Sequence, residues 1–94
     1  RVHKQNISVQ MLIFTKEDPE RLNQTILDKL DRSFTLWEGR GGYSHDQVHV
    51  MCVCLSKYEV VSVQMALSEI DPHAFTIIQE GIRVGGNFGR HLSS

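Results

Sequence analysis

Hydrophobic residues follow two kinds of spacing along this chain, and together they predict four strands and two helices. Residues 8–15, 34–38, 47–55 and 74–79 are apolar runs with many β-branched and aromatic side chains, which favour an extended backbone. After the first and third runs, apolar residues return every three or four positions, which is the period of a helix. The order is therefore β-α-β written twice, and the pair Phe34-Thr35 recurs as Phe75-Thr76 in the second half.

Both predicted helices have recognisable boundaries. Asp18 offers a side-chain oxygen as N-cap of the first helix, and Pro19 follows at the first helical position. Ser56 and Glu59 have the spacing of a capping box at the start of the second helix, which Asp71 ends. The first helix is expected to run to about residue 31. Its apolar face consists of Leu22, Ile26, Leu27 and Leu30.

A βαββαβ order with right-handed crossovers gives a four-stranded antiparallel sheet with both helices on one face, the α+β ferredoxin-like fold. We expect a single domain over 1–94, with a core at about 8–80 and a glycine-rich tail at 81–94. Residues 47–55 are apolar at both alternating sets of positions, so this strand is central and the face away from the helices is apolar too. Such a surface favours self-association, and we expect a homo-oligomer.

Composition excludes several function classes. The 94 residues are 40% hydrophobic and 22% charged, with a formal net charge of −1. This balance lacks the basic surface that binds nucleic acid, and residues 49–55 lack the aromatics on which RNA-binding sheets stack bases. The longest apolar run is far shorter than the roughly 20 residues of a membrane helix. The chain begins at Arg1 rather than methionine, so we expect a piece of a longer protein.

Two constellations resemble catalytic or metal sites, and strand geometry argues against both. Ser44, His45 and Asp46 are consecutive, so their side chains cannot converge as a hydrolase triad requires. A zinc site would need His45 and His49 to meet Cys52 and Cys54, yet strand alternation puts the two pairs on opposite faces. We therefore predict no metal, no cofactor, reduced cysteines and no enzymatic activity.

Two glycine-rich segments carry the most interesting chemistry. Segment 39–44 combines backbone N–H groups with a guanidinium, an aromatic ring and a hydroxyl, which suits an anionic, ring-bearing molecule such as a nucleotide. Segment 85–90 has a similar character. The alternative is a flexible hairpin whose glycines only supply positive φ angles. The candidate ligand-binding residues are Gly39, Arg40, Gly41, Gly42, Tyr43, Ser44, Gly85, Gly86 and Phe88.

Four strings in the chain form a recognisable series. They are Gly-Arg-Gly-Gly-Tyr-Ser at 39–44, Val-Met-Cys-Val at 50–53, Glu-Ile-Asp-Pro-His-Ala-Phe at 69–75 and Gly-Gly-Asn-Phe at 85–88. The series resembles the C-terminal domain of unknown function carried by the YitT family of bacterial integral membrane proteins. The resemblance implies a cytosolic domain that follows several membrane helices, with a fold similar to the PII-like group of ligand-sensing trimers. It implies no established activity, ligand or catalytic residue.

Two functional hypotheses follow from the residues and the resemblance. The first is a regulatory domain on the cytoplasmic face of a membrane protein, which senses a small anionic ligand between the two glycine-rich segments, across a subunit boundary. In this hypothesis Arg40 is the charge partner of the ligand and Tyr43 is its stacking surface. The second is an oligomerisation domain without a ligand. The membrane would be reached only through the missing transmembrane part of the parent chain.

Overall fold

A computed structural model describes residues 7–86 of the chain. The elements in chain order are β1 (Val9–Thr15), α1 (Pro19–Leu22), a π-helical turn (Asn23–Leu27), β2 (Thr35–Arg40), β3 (Gln47–Leu55), α2 (Val60–Ile70) and β4 (Phe75–Glu80). The strands form one sheet in the order β2-β3-β1-β4, and every neighbouring pair is antiparallel. This topology confirms the predicted α+β ferredoxin-like fold.

The core lies between one face of the sheet and the helices. Alternate residues of β1 are buried, because successive side chains of a strand point to opposite faces. Met11 and Ile13 are fully buried with Met51, Val53 and Leu55 of β3. The helical segments cover this layer with Leu22, Leu27, Val63 and Leu67.

The first helix differs from its prediction in geometry. The α-helical part ends after one turn, and the next turn is wider: the Asp28 N–H donates to the Asn23 carbonyl, five residues back, at 2.9 Å. The Thr25 hydroxyl donates to the Arg21 carbonyl at 2.7 Å, so a side chain competes there with the regular backbone pattern. Of the predicted apolar face, Leu22 and Leu27 are nevertheless buried, and Ile26 and Leu30 are partly buried against the core.

A buried ion pair joins the segment before β2 to the start of α2. The Arg32 Nε donates to Glu59 Oε1 at 3.0 Å, and the two side chains are only 2% and 13% exposed. The same carboxylate accepts the Ser56 N–H at 2.9 Å, which is the carboxylate half of the predicted capping box. Glu59 therefore satisfies both a buried cation and a backbone donor ahead of the helix.

No helix of residues 7–86 covers the other face of the sheet. Residues opposite each other in an antiparallel pair share a face, so the pairs of Phe14 with Val50 and with Phe75, and of Trp37 with Val50, place these side chains together. We call this surface the open face. It consists of Gln10, Leu12, Phe14, Thr35, Trp37, Gly39, Val48, Val50, Cys52, Cys54, Phe75, Ile77 and Gln79. The prediction that β3 is apolar on both faces is confirmed.

Candidate functional site

A cleft of about 630 Å³ opens at the end of the sheet where the β2–β3 hairpin lies. Three parts of the chain line it: residues 14–17 at the end of β1, residues 40–48 of the hairpin, and residues 71–75 at the start of β4. They meet because the register pairs Phe14 with Phe75 on one side and places Thr15 opposite His49 on the other. The antiparallel sheet therefore brings sequence-distant segments to one end.

The hairpin differs in detail from the predicted flexible glycine turn. β2 continues through Gly39 and Arg40, because Gly39 pairs with Val48 and faces its side chain. The Gly41 N–H donates to the Asp46 carbonyl at 2.8 Å, so it is not available to a ligand. Among residues 7–86 the only glycines with positive φ lie in the tail, and the left-handed position of this turn is taken by His45, with φ 64°. The expectation that the turn glycines supply positive φ was wrong.

The predicted residues of segment 39–44 divide into two groups. Arg40, Gly41 and Ser44 line the cleft. Gly39, within β2, is not part of the lining. Gly42 and Tyr43 lie exposed at the tip of the turn and do not line the cleft either, and the Tyr43 side chain is fully exposed. Within one chain the stacking surface predicted at Tyr43 is therefore not part of the cleft.

The tail leaves the sheet at the opposite end. The Ile82 N–H donates to the Ser8 carbonyl at 3.1 Å, beyond the pair of Val9 with Glu80. Gly85 and Gly86 are exposed and do not line the cleft. Phe88 lies outside the described residues. Within residues 7–86, Gly85 and Gly86 lie apart from the cleft, and a meeting of the two glycine-rich segments across a subunit boundary stays a prediction.

Two cations lie at the cleft. Lys16 Nζ donates to Asp46 Oδ2 at 2.9 Å, and this hydrogen bond together with the nearby positive charge lowers the pKa of the Asp46 carboxyl. The pair is well exposed, with side chains 61% and 60% accessible. The Arg40 guanidinium reaches the His45 carbonyl only at a long 3.4 Å. Neither cation is tightly held, so both can be redirected to an anion.

A pair of aromatic rings forms the apolar wall of the cleft. Phe14 and Phe75 stack with ring centroids 4.5 Å apart and an interplanar angle of 8°. Phe14 is half-buried, whereas Phe75 is 58% exposed. Val48 continues the wall from the hairpin. Among the residues that line the cleft, the well-exposed aromatic ring is that of Phe75, whereas the predicted stacking residue Tyr43 does not line it.

A buried carboxylate forms the base of the cleft. The Thr15 hydroxyl donates to Asp71 Oδ2 at 2.6 Å, and the His73 N–H donates to Asp71 Oδ1 at 3.0 Å. These hydrogen bonds, with the Thr15 bond the largest effect, lower the pKa of the Asp71 carboxyl. Thr15 also accepts the Glu17 N–H at 3.1 Å. The network fastens the segment after β1 to the segment before β4.

A comparison with known proteins identifies the family of this chain. Residues 32–86 match the family described as "Uncharacterized protein conserved in bacteria (DUF2179)". The chain belongs to the DUF2179 family. The match includes the hairpin and the start of β4 but begins after Lys16, so it spans two of the three segments that line the cleft.

Curated relatives of this DUF2179 domain include membrane proteins of Bacillus subtilis (strain 168). "UPF0750 membrane protein YitT" is 26% identical over 93% of this chain and 31% of the relative, and "UPF0750 membrane protein YdeO" is 31% identical over 80% and 26%. An uncharacterized protein of Bacillus sp. (strain PS3) is 34% identical over 80% of this chain and 49% of the relative. The resemblance to the YitT family is confirmed. The chain spans about a quarter to a third of the length of its UPF0750 relatives, and within residues 7–86 no helix is long and apolar enough to cross a membrane.

Two solved structures are similar to this DUF2179 domain. A crystal structure of a DUF2179 protein from Eubacterium ventriosum has a TM-score of 0.58 and 25% identity, covering 76% of this chain and 97% of the other. A functionally unknown protein from Pediococcus pentosaceus ATCC 25745 has a TM-score of 0.66 at 11% identity, covering 85% and 98%. The second similarity concerns the fold alone.

His49 and the two cysteines of the DUF2179 domain lie on opposite faces of the sheet, as strand alternation predicted, whereas His45 lies in the turn before β3. His49 Nδ1 lies 2.7 Å from Glu38 Oε1 on the face that carries the helices, whereas Cys52 and Cys54 lie on the open face. Burial raises the pKa of the Cys54 thiol. Residues 7–86 contain no group of three or more His, Cys, Asp or Glu residues that could hold a metal ion.

Several cleft residues were not predicted as site residues from the sequence. Asp71 was interpreted as the end of a helix, and Phe75 as part of an apolar strand. Lys16 is part of no sequence motif that would mark it as a site residue. The string at 69–75 was a signal that this segment is distinctive, but only the sheet register shows that it meets the hairpin.

Proposed function

We propose that this DUF2179 domain is a regulatory module that senses a small anionic, ring-bearing molecule, with nucleotides as its class. The observation that carries the proposal is the cleft, in which the exposed ring of Phe75 and the cations of Arg40 and Lys16 border one space. Its volume of about 630 Å³ falls within the range of about 300–1,000 Å³ of small-molecule sites. An apolar wall with a few convergent polar groups is also typical of such sites.

The cations support an anionic ligand because each can be redirected at little cost. Exposed ion pairs contribute only about 0–1 kcal/mol, so a phosphate can take Lys16 from its present partner. Arg40 offers a planar fork of N–H donors that matches phosphate oxygens. The Ser44 hydroxyl adds a neutral hydrogen-bonding group at the same rim.

The aromatic wall supports a ligand with a ring. Phe14 backs Phe75 by parallel stacking, which holds the Phe75 ring in one orientation. A planar base could stack on the exposed side of Phe75 while its phosphate reaches the cations. We propose that the domain binds its ligand without converting it. A hydrolase triad would need the Asp46 carboxylate beside His45, but Asp46 pairs with Lys16 instead.

The membrane-protein relatives support a location next to a membrane domain. We infer that the domain lies on the cytoplasmic side, where its two cysteines would stay reduced. In this position, ligand binding could be transmitted to a transmembrane part of the parent chain.

The test is a thermal-shift screen of the 94-residue chain with AMP, ATP and cyclic dinucleotides, with adenosine and pyrophosphate as separate probes of ring and charge. A ligand at one hundred times its Kd adds about 2.7 kcal/mol of stability, which for a domain of this size raises Tm by roughly 10–20 °C. Adenosine and pyrophosphate alone should each give a smaller shift. A screen without any shift would contradict the proposal and favour the alternative, a ligand-free oligomerisation domain, which the open face supports.

A matched pair of arginine variants tests the location. Arg40→Ala should weaken binding roughly ten- to a hundredfold, because it removes a charge-assisted hydrogen bond of about 1.5–3 kcal/mol. Arg83→Ala removes an equally exposed arginine that does not line the cleft, and it should bind as the parent does. Equal binding by Arg40→Ala and the parent would remove the cleft from the ligand site.

A further inference from the structure

The open face carries no ionisable side chain other than its two thiols. Its side chains are aliphatic, aromatic, amide, hydroxyl and thiol groups contributed by all four strands. The chain as a whole is 22% charged, so an entire sheet face without Asp, Glu, Lys, Arg or His is a departure from its average surface. By contrast, the polar side chains of Glu38, Gln47 and His49 stand on the opposite face of β2 and β3, on the side of the sheet where the helices lie.

Large apolar side chains on this face remain accessible. Trp37 is 51% exposed and Ile77 is 48% exposed. They stand on both edge strands, while Leu12 and Val50 lie between them on the central strands. An apolar surface that reaches both edges of a sheet marks an interaction site rather than isolated exposed residues.

The lack of charged side chains on the open face indicates which kind of molecule can cover it. Nucleic acid and anionic lipid surfaces both require cations, and the open face has none. A charged protein partner would bury its charges against a surface with no ion to pair with them, which is costly. The open face of a second copy is equally uncharged, so two copies can pack face to face without burying a charged side chain.

The area of the open face is consistent with weak association between two copies of the chain. Four strands about 4.8 Å apart and about six residues long, at roughly 3.3 Å per residue, give a projected area near 400 Å². Two copies packed through this face therefore bring about 800 Å² of projected sheet surface together. Interfaces near the lower end of the usual range, about 1,200 Å² in total, support weak but specific association. We therefore expect a dissociation constant in the micromolar range.

We propose that the open face is an interface between copies of this chain, in which the sheet of one copy covers the sheet of another. Face-to-face sheet packing at about 10 Å is the arrangement that closes such a surface. Phe14, Val48 and Phe75 stand at one end of this face and also form the wall of the cleft. The second copy packs on the rest of the face and borders the cleft, so the ring of Phe75 stays open. The interface does not depend on a ligand.

The chain contains its own probe of this interface. Trp37 is its one tryptophan and lies on the open face. Sedimentation velocity and tryptophan emission of the 94-residue chain would be measured from about 1 to 500 µM. We expect a concentration-dependent oligomer, with emission that moves to shorter wavelength as the oligomer forms. A monomer with constant emission over this whole range would overturn the proposal.

Two charge variants locate the interface. Ile77→Lys places an ammonium group on the open face and should raise the dissociation constant at least tenfold. Met65→Lys makes the same kind of change at a 64% exposed position of α2, where Val61 is also exposed, and should leave association unchanged. Each substitution is at an exposed position, so folding is retained and is checked by the thermal transition.

If Met65→Lys disrupts association while Ile77→Lys does not, copies meet through α2 and the proposal is wrong. Failure of the ligand screen has no bearing on this result, because association is measured without ligand. The two proposals can therefore fail separately.

Discussion

Replacement of Asp71 by asparagine tests the buried network at the base of the cleft. The side chain keeps its shape, and one oxygen can still accept the His73 N–H, 3.0 Å away in the parent. The carboxylate charge and the acceptor for the Thr15 hydroxyl, 2.6 Å away, are lost. Asp71 is 9% exposed and Thr15 is 4% exposed, so water replaces the lost partner poorly.

The expected loss of stability follows from these contacts. A hydrogen bond to a buried charged group contributes about 1.5–3 kcal/mol. The free energy of unfolding of a domain this size is about 5–14 kcal/mol, so Asp71→Asn removes a substantial part of it. The corresponding fall in Tm is roughly 6–20 °C. Denaturant unfolding at pH 7 gives the free-energy difference, and the double variant with Thr15→Val isolates the pair.

The pH dependence provides the decisive control. Hydrogen bonding holds the folded-state pKa of Asp71 below its ordinary value of 3.8. A lowered folded-state pKa means that the stabilisation is fully present above pH 4 and is lost as pH falls through the folded-state value. The difference between parent and Asp71→Asn should therefore be constant from pH 7 to about 5 and shrink below pH 4. A difference that stays the same down to pH 2 would refute the assignment to an ionised carboxylate.

Two further predictions concern stability alone. Glu59→Gln should lower the free energy of unfolding by about 1.5–3 kcal/mol, because the buried hydrogen bond of Arg32 Nε to a carboxylate becomes one to a neutral amide; an unchanged urea midpoint would contradict this. Gly81→Ala should destabilise by about 1–2 kcal/mol, since its φ of +75° disfavours a side chain. Gly42→Ala, where a Cβ meets no atom within 4 Å and φ is not positive, should be neutral or slightly stabilising. Equal effects of the two glycine substitutions in thermal unfolding would contradict the backbone argument.

The fold could be predicted because its signals are local and repeated. Alternation in β1 and the helical period of α2 each follow from a short stretch of sequence, and the βαββαβ order then leaves few topologies. The wide turn after α1 was missed because it depends on how the Thr25 hydroxyl competes for the Arg21 carbonyl. The left-handed residue of the hairpin was missed because the turn hydrogen bonds, including that of the His45 N–H to the Gly41 carbonyl, decide which residue adopts it.

The candidate site was only partly predictable, because its segments come from three parts of the chain. Arg40 and Ser44 were identified from the composition of one turn. Phe75 and Asp71 reach that turn only through the antiparallel register of β1 with β3 and β4, which composition does not encode. A ring that lies next to Phe14 in space is far from it in sequence, so no local pattern could point to it.

The position of the two thiols on β3 offers an internal reporter of the proposed association between copies. Cys52 and Cys54 are the only cysteines of the chain and both project from the open face, Cys52 between Leu12 and Thr35 of the adjacent strands. Alkylation by a small reagent should thus be fast in dilute protein and slow once that surface is covered. Because burial raises the pKa of Cys54, its reactive thiolate is scarce at neutral pH, and mildly alkaline buffer widens the measurable range. The labelling rate, measured by mass spectrometry of the cysteine peptide, would then report in unmutated protein how often the sheets of two associated copies separate.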